Sequence, residues 1–163
     1  MEGQRQNKTA LMKAAELLAR REQSSKNLRQ KLLSKKYSES ETDAAIKTLQ
    51  ERNYLNDEES CTRQFEILYS EEKLSVRQIC MKLIQRGFDS EFVKNLIPAD
   101  SDSHDKKVAE KILEKKIRTI NFDELDAKEI FKTKSKLYQN LAAKGFNSEV
   151  ISAAMENFLL TEK

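Results

Sequence analysis

Glycine and proline are almost missing from this chain, which has three glycines and one proline in 163 residues. A sheet protein needs many glycine-rich turns, so this scarcity, beside abundant Lys, Glu, Leu, Ala and Gln, points to an all-helical fold. Histidine occurs once, at His104, and cysteine twice, at Cys61 and Cys80, with no CxxC. That inventory does not supply the four ligands of a structural zinc site, and the two cysteines read as small buried thiols in a reducing compartment. No run reaches the roughly 18 apolar residues of a membrane span, and the opening MEGQRQNKTA has no apolar signal segment, so the expectation is a cytoplasmic protein.

The scarcities also bear on catalysis. Glycines at 3, 87 and 145 cannot form a phosphate-cradling loop. His104 lies in DSDSHD, an acidic stretch read as a loop, away from any obvious nucleophile or carboxylate pair. Asp57, Glu58 and Glu59 stand at a predicted helix start, where the helix dipole favours them for local reasons. The sequence therefore predicts no enzyme, no catalytic residues and no cofactor.

Charge is plentiful but nearly balanced, at 30 Lys+Arg against 27 Asp+Glu for a net +3. Residues 1–55 carry +5, residues 56–100 carry −3 and residues 101–163 carry +1, so the basic excess sits at the N-terminal end.

Apolar residues recur at helical spacing. Leu11, Ala14, Ala15 and Leu18 mark one stripe, Leu28 and Leu32 a second, and Thr42, Ala45, Ile46 and Leu49 a third. Cys61, Phe65, Leu68 and Tyr69 give a fourth, Ile79 and Leu83 a fifth, and Val93, Leu96 and Ile97 a short sixth that stops before Pro98. Val108, Ile112, Leu113 and Ile117 form a seventh, Leu137 and Leu141 an eighth, and Ile151, Ala154, Met155 and Phe158 a ninth. Ser24 or Ser25 can cap the second helix, while Ser38 with Glu41 and Ser75 with Gln78 have capping-box spacing. Residues 119–132 read either as a loop with a short helix or as an early start of the eighth.

The stripes repeat in threes. LRQKLLSKKY (28–37), ICMKLIQRGF (79–88) and LYQNLAAKGF (137–146) agree at their apolar, basic and aromatic positions, and apolar or small residues return five, eight and nine positions later. The chain is thus read as three tandem three-helix repeats, at 8–55, 56–98 and 103–160, an elongated array of about nine helices. Gly87–Phe88 and Gly145–Phe146 fit the left-handed residue and packing anchor that end a helix, with Asp89 and Asn147 capping the next. Lys36 holds the glycine position in the first copy, so either the same geometry is kept at about 1 kcal/mol of strain or the turn is built differently.

LLARREQSSKNLRQKL (17–32), the junction ERNYLND (51–57) and KTKSKLYQNLAAKGFNSEVISAAMENF (132–158) together resemble the RecX regulatory proteins of bacteria, over roughly residues 9–160. The family usually has glycine where Lys36 and Asn53 stand, and the third copy is 58 residues from the second where the first two are 51 apart. The resemblance implies a protein that binds the RecA recombinase, lies in the groove of the RecA–single-stranded DNA filament and typically restrains RecA ATPase, recombination and SOS-related activity. It implies single-stranded DNA contact that is weak or made through RecA, no membrane, and a monomer.

Candidate filament- or nucleic-acid-facing residues are Arg20, Arg21, Arg29, Lys31, Lys35 and Lys36 in the first repeat, and Arg63, Arg77, Arg86 and Lys94 in the second. The competing reading is a solvated surface, with cations at helix C-termini and in pairs with carboxylates such as Glu66 and Glu91. Tyr37, Tyr54, Phe65, Phe88, Phe146 and Phe158 are expected to pack in cores, since their spacing follows the apolar period. An independent helix-turn-helix DNA-binding protein is the alternative function, although no single helix concentrates the Arg, Asn and Gln that read base edges.

Overall fold

The computed structural model describes residues 8–159, apart from the side chains of Asp123 and residues 157–159, so the expected packing role of Phe158 lies outside the described residues. Among the described residues there are nine α-helices and no strand. The helices are α1 (Ala10–Arg20), α2 (Ser25–Ser34), α3 (Glu39–Glu51), α4 (Asp57–Ser70), α5 (Val76–Gln85), α6 (Ser90–Asn95), α7 (Ser101–Ile117), α8 (Ala127–Ala143) and α9 (Ser148–Leu159). The ambiguous stretch before α8 contains a 3-10 turn at Phe122–Glu124, and α8 then starts early, under a capping box made by Asp126 and Glu129.

The capping signals act as their chemistry requires. Ser38 and Glu41 close a reciprocal capping box on α3. Ser75 Oγ accepts from the Gln78 N–H while Gln78 Oε1 accepts from the Ser75 N–H, and Asp89 and Asn147 cap α6 and α9. Each of α2, α5 and α8 ends in the same pair of backbone hydrogen bonds. The left-handed residue donates to the third carbonyl back, and the following aromatic donates to the fifth, as in Gly87 to Ile84 and Phe88 to Leu83. Gly87 and Gly145 have φ of 91° and 88°, and Lys36 keeps the geometry at φ 69°, so the first turn is not built differently. Asn53 ends α3 in the same way at φ 56°.

Two compact units are present, and their division passes through the second helix triplet. The first comprises residues through Gln64 with Leu83–Asn95, and the second comprises Phe65–Lys82 with the residues from Leu96 onward. In the first unit, α1, α2 and α3 bury Ala14, Leu28, Leu32, Ile46, Leu49 and Leu55, with Tyr37 packed on the edge. In the second unit, α9 packs chiefly on α7, and Val108, Leu113, Leu137, Leu141, Phe146 and Ile151 form the centre. Cys61 and Cys80 are buried and unbridged, and burial pushes the Cys80 thiol up, away from thiolate reactivity.

Two expectations fail. DSDSHD is not a loop, because α7 begins at Ser101 and His104 and Asp105 are buried within it. Polar residues occupy those positions because their partners are polar. The His104 ring stacks on Tyr69 with centroids 3.9 Å apart, its Nε2 lies 3.0 Å from the Tyr69 carbonyl oxygen, and Asp105 accepts the Val76 N–H at 2.8 Å. Tyr54 is 72% exposed rather than a core residue, whereas Phe65, Phe88 and Phe146 are buried and Tyr37 is half-buried.

Candidate functional site

Two joints within the compact units connect consecutive helix triplets with the same chemistry. In the first unit, the N-cap hydroxyl of α2, Ser24 Oγ, accepts from the Asn27 N–H and donates to the Arg86 carbonyl at 2.6 Å. The next N–H, that of Ser25, donates to Asp57 Oδ1 at 2.8 Å. In the second unit, Ser75 Oγ accepts from the Gln78 N–H and donates to the Lys144 carbonyl at 2.6 Å, and the Val76 N–H donates to Asp105 Oδ1. Each serine therefore grips the carbonyl just before the left-handed glycine of the following triplet, and each following triplet returns a carboxylate to the helix start.

Close approach at these joints restricts the glycines more tightly than the turn alone. A Cβ on Gly87 would stand 2.6 Å from Ser24 Oγ, and one on Gly145 would meet the Arg77 stem, with Arg77 Cδ 2.8 Å away. Lys36 ends α2, the middle helix of the first triplet, and it is exposed. Its side chain needs only a tolerable φ.

The candidate cations divide by partner. Arg29 binds both carboxylate oxygens of Asp43, at 2.7 and 3.3 Å. Arg63 reaches Glu22 at 2.7 Å and Glu59 at 3.3 Å, and Lys94 pairs with Glu91 at 2.8 Å. Lys31 donates to Gln23 Oε1, and Arg86 donates to Gln64 Oε1, with its guanidinium pushed down by burial and by nearby Arg21. Arg20, Arg21, Lys35 and Lys36 are exposed and form no ion pair among the described residues. Arg77 is exposed in the second unit, its stem lying over Gly145. The first unit thus brings Arg21 and Arg86 together, while Arg29, Arg63 and Lys94 are committed to acids. Gly87 and Gly145 have positive φ after α5 and α8, and Phe88 and Phe146 beside them are buried.

The cationic stretch that the whole-segment charge hides is α8. Residues 127–146 hold five lysines and one carboxylate, Glu129, which is bound in the capping box. Lys128, Lys132, Lys134 and Lys136 form no ion pair among the described residues, and Phe131 on the same helix is 72% exposed. Tyr138 lines a shallow pocket of about 350 Å³ with Lys134, Ser135, Gln139 and Met155. The signal for this face was the lysine run KTKSK itself, masked by acids elsewhere in residues 101–163. Among the described residues no group of three or more His, Cys, Asp or Glu is placed to hold a metal, and no helix is long and apolar enough to cross a membrane.

Comparison with known proteins gives consistent results. Two family models match, the first three-helix domain of RecX at residues 10–49 and the third three-helix domain of RecX at 105–155, together more than half of the chain. A regulatory protein RecX of Clostridium beijerinckii is 30% identical over 84% of this chain, which spans 62% of that relative's length. One of Actinobacillus pleuropneumoniae is 29% identical, with 92% of this chain and 93% of the relative covered. The crystal structure of RecX from Lactobacillus salivarius shares the fold at a TM-score of 0.73 and 17% identity, covering 93% of this chain and 95% of that one. With three-helix units, the first and third domain models and relatives along most of its length, the chain belongs to the RecX family.

Proposed function

We propose that this chain is a non-catalytic cytoplasmic regulator that binds the RecA–single-stranded DNA filament and restrains RecA ATPase and strand exchange. The observation that carries this reading is the match to regulatory RecX proteins along 84–92% of the chain, with the first and third RecX domain models matched in chain order. The surface is compatible with it. Arg20, Arg21, Lys35 and Lys36 are exposed without intramolecular ion pairs among the described residues, so contacting an anionic partner need not break an existing pair.

A regulator must bind one filament state more tightly than another, because equal affinity for both shifts nothing. Joints that fix neighbouring triplets would help it discriminate by limiting how far its surface adapts. Purified chain added to RecA on single-stranded DNA is expected to lower ATP hydrolysis at or below one chain per RecA protomer. An unchanged rate at every ratio would overturn the reading.

A further inference from the structure

We propose that α8 carries a stacking site for single-stranded nucleic acid, centred on Tyr138 and Phe131. This goes beyond the regulatory reading and holds whether or not RecA is the partner. Phe131 and Tyr138 are seven residues apart on one continuous helix, so they lie on the same side, roughly 10 Å apart along the axis. Both rings are solvent-accessible, Phe131 at 72% and Tyr138 at 37%. Leaving a phenylalanine this exposed forgoes the stabilisation that burial would give, and although one exposed ring alone is ordinary, two on the same side of one helix form a shared aromatic surface.

The chemistry around the rings selects the class of partner. Four lysines on the helix lack an intramolecular carboxylate among the described residues, which suits a polyanion. The pocket beside Tyr138 joins flat and soft apolar surface, Tyr138 and Met155, to Ser135 and Gln139, each able both to donate and to accept. A nucleobase has a π-face for the ring and mixed donors and acceptors at its edge, while its phosphates answer the lysines. An acidic protein segment would satisfy the lysines but has no need of two exposed rings at this spacing. A duplex would hide the base faces that the rings require.

Fluorescence anisotropy of a labelled oligothymidylate of about 15 nucleotides, titrated with the whole chain, tests the site. Tyr138→Ala and Phe131→Ala are each expected to weaken binding about ten-fold at fixed salt, the loss of one stacked base, while Tyr138→Phe retains affinity. Lys132→Gln and Lys134→Gln should flatten the salt dependence between about 50 and 200 mM, by roughly 0.7 in log–log slope for each phosphate no longer neutralised, whereas the ring variants leave that slope in place. The helical circular-dichroism signal of every variant checks that folding is intact. Unchanged affinity in both ring variants would overturn the proposal. So would duplex binding as tight as single-strand binding, or equal competition by a polyglutamate peptide, which would reveal an acidic protein surface as the partner. RecA ATPase measured with the same variants separates this site from the regulatory reading, because wild-type inhibition without oligonucleotide binding removes only the site.

Discussion

Ser24 Oγ lies 2.6 Å from the carbonyl oxygen of Arg86, 62 residues further along the chain, and Ser75 Oγ stands at the same distance from the carbonyl of Lys144. Both serines are fully buried and both also cap their own helix. One hydroxyl thus closes a helix end and binds the next triplet, and the same contact recurs once in each compact unit.

Ser24→Ala removes both functions at once. Loss of an N-cap costs about 1 kcal/mol, and leaving the Arg86 carbonyl without its donor adds about 1–2 kcal/mol. The expected destabilisation is therefore about 2–3 kcal/mol, with a similar value for Ser75→Ala. Ser38, exposed and serving only its own capping box, is the control. Ser38→Ala should cost about 1 kcal/mol by urea denaturation.

Glycine replacement should rank by what the new Cβ meets. Gly87→Ala combines left-handed strain of about 1–2 kcal/mol with a clash against Ser24 Oγ, a buried group already committed to two hydrogen bonds. Gly145→Ala bears the same strain but presses on the stem of exposed Arg77, whose Cδ at 2.8 Å can move aside while Cβ and Cγ, at 3.1 and 3.2 Å, must give by a few tenths of an ångström. Gly87→Ala is thus expected to be the more damaging, by about 1 kcal/mol or more. Lys36→Gly should move the other way or stay neutral, since relief of strain offsets the roughly 0.5–1 kcal/mol of extra chain entropy. A larger loss from Gly145→Ala than from Gly87→Ala in thermal melts would refute the ranking.

The turns were legible because their cause is local. Gly87–Phe88, Gly145–Phe146 and the Ser38–Glu41 box are set by residues three to five apart, and sequence records those directly. The joint was not, since the partner of Ser24 is a backbone carbonyl 62 positions away, and a carbonyl leaves no mark on residue identity. His104 and Asp105 looked like loop residues for the same reason, because Tyr69 and Val76, which satisfy them, lie on earlier helices. Apolar periodicity reports the buried side of a helix only. It therefore found Leu137 and Leu141 while passing over Phe131 and Tyr138 on the open side of α8. The cations of the first two triplets were read as one class, but ion pairing separates Arg29, Arg63 and Lys94 from Arg20 and Arg21.

That separation predicts how charge removal acts on the proposed regulation. Arg20→Ala with Arg21→Ala should raise the concentration needed for half-maximal inhibition of RecA ATPase several-fold and weaken its salt dependence. Arg29→Ala should leave that concentration within about two-fold, because its guanidinium is already bound to Asp43 and the pair is exposed. Equal effects of the two changes in an ATPase titration would show that intramolecular pairing does not decide which cations reach the partner.

The second joint should be sensitive to pH. Burial holds the Asp105 carboxyl above its ordinary range, opposed by the Val76 N–H and by His104, whose Nδ1 is 3.3 Å from Oδ1. A carboxyl whose folded pKa is raised contributes stability that is fully present below its unfolded value, about 3.9, and fades as pH climbs through the folded value. Asp105→Asn keeps an acceptor for Val76 without ionising, so relative to wild type its stability should improve as pH rises from about 4 toward neutrality. Asp105→Ala orphans the Val76 N–H and should lose about 1–3 kcal/mol throughout. Asp57, the equivalent carboxylate of the first joint, is bound to Ser25 with no histidine beside it. Urea midpoints collected across pH should therefore show the asparagine gain at 105. A flat difference between Asp105→Asn and wild type over that range would remove the buried carboxyl as the titrating element of the joint.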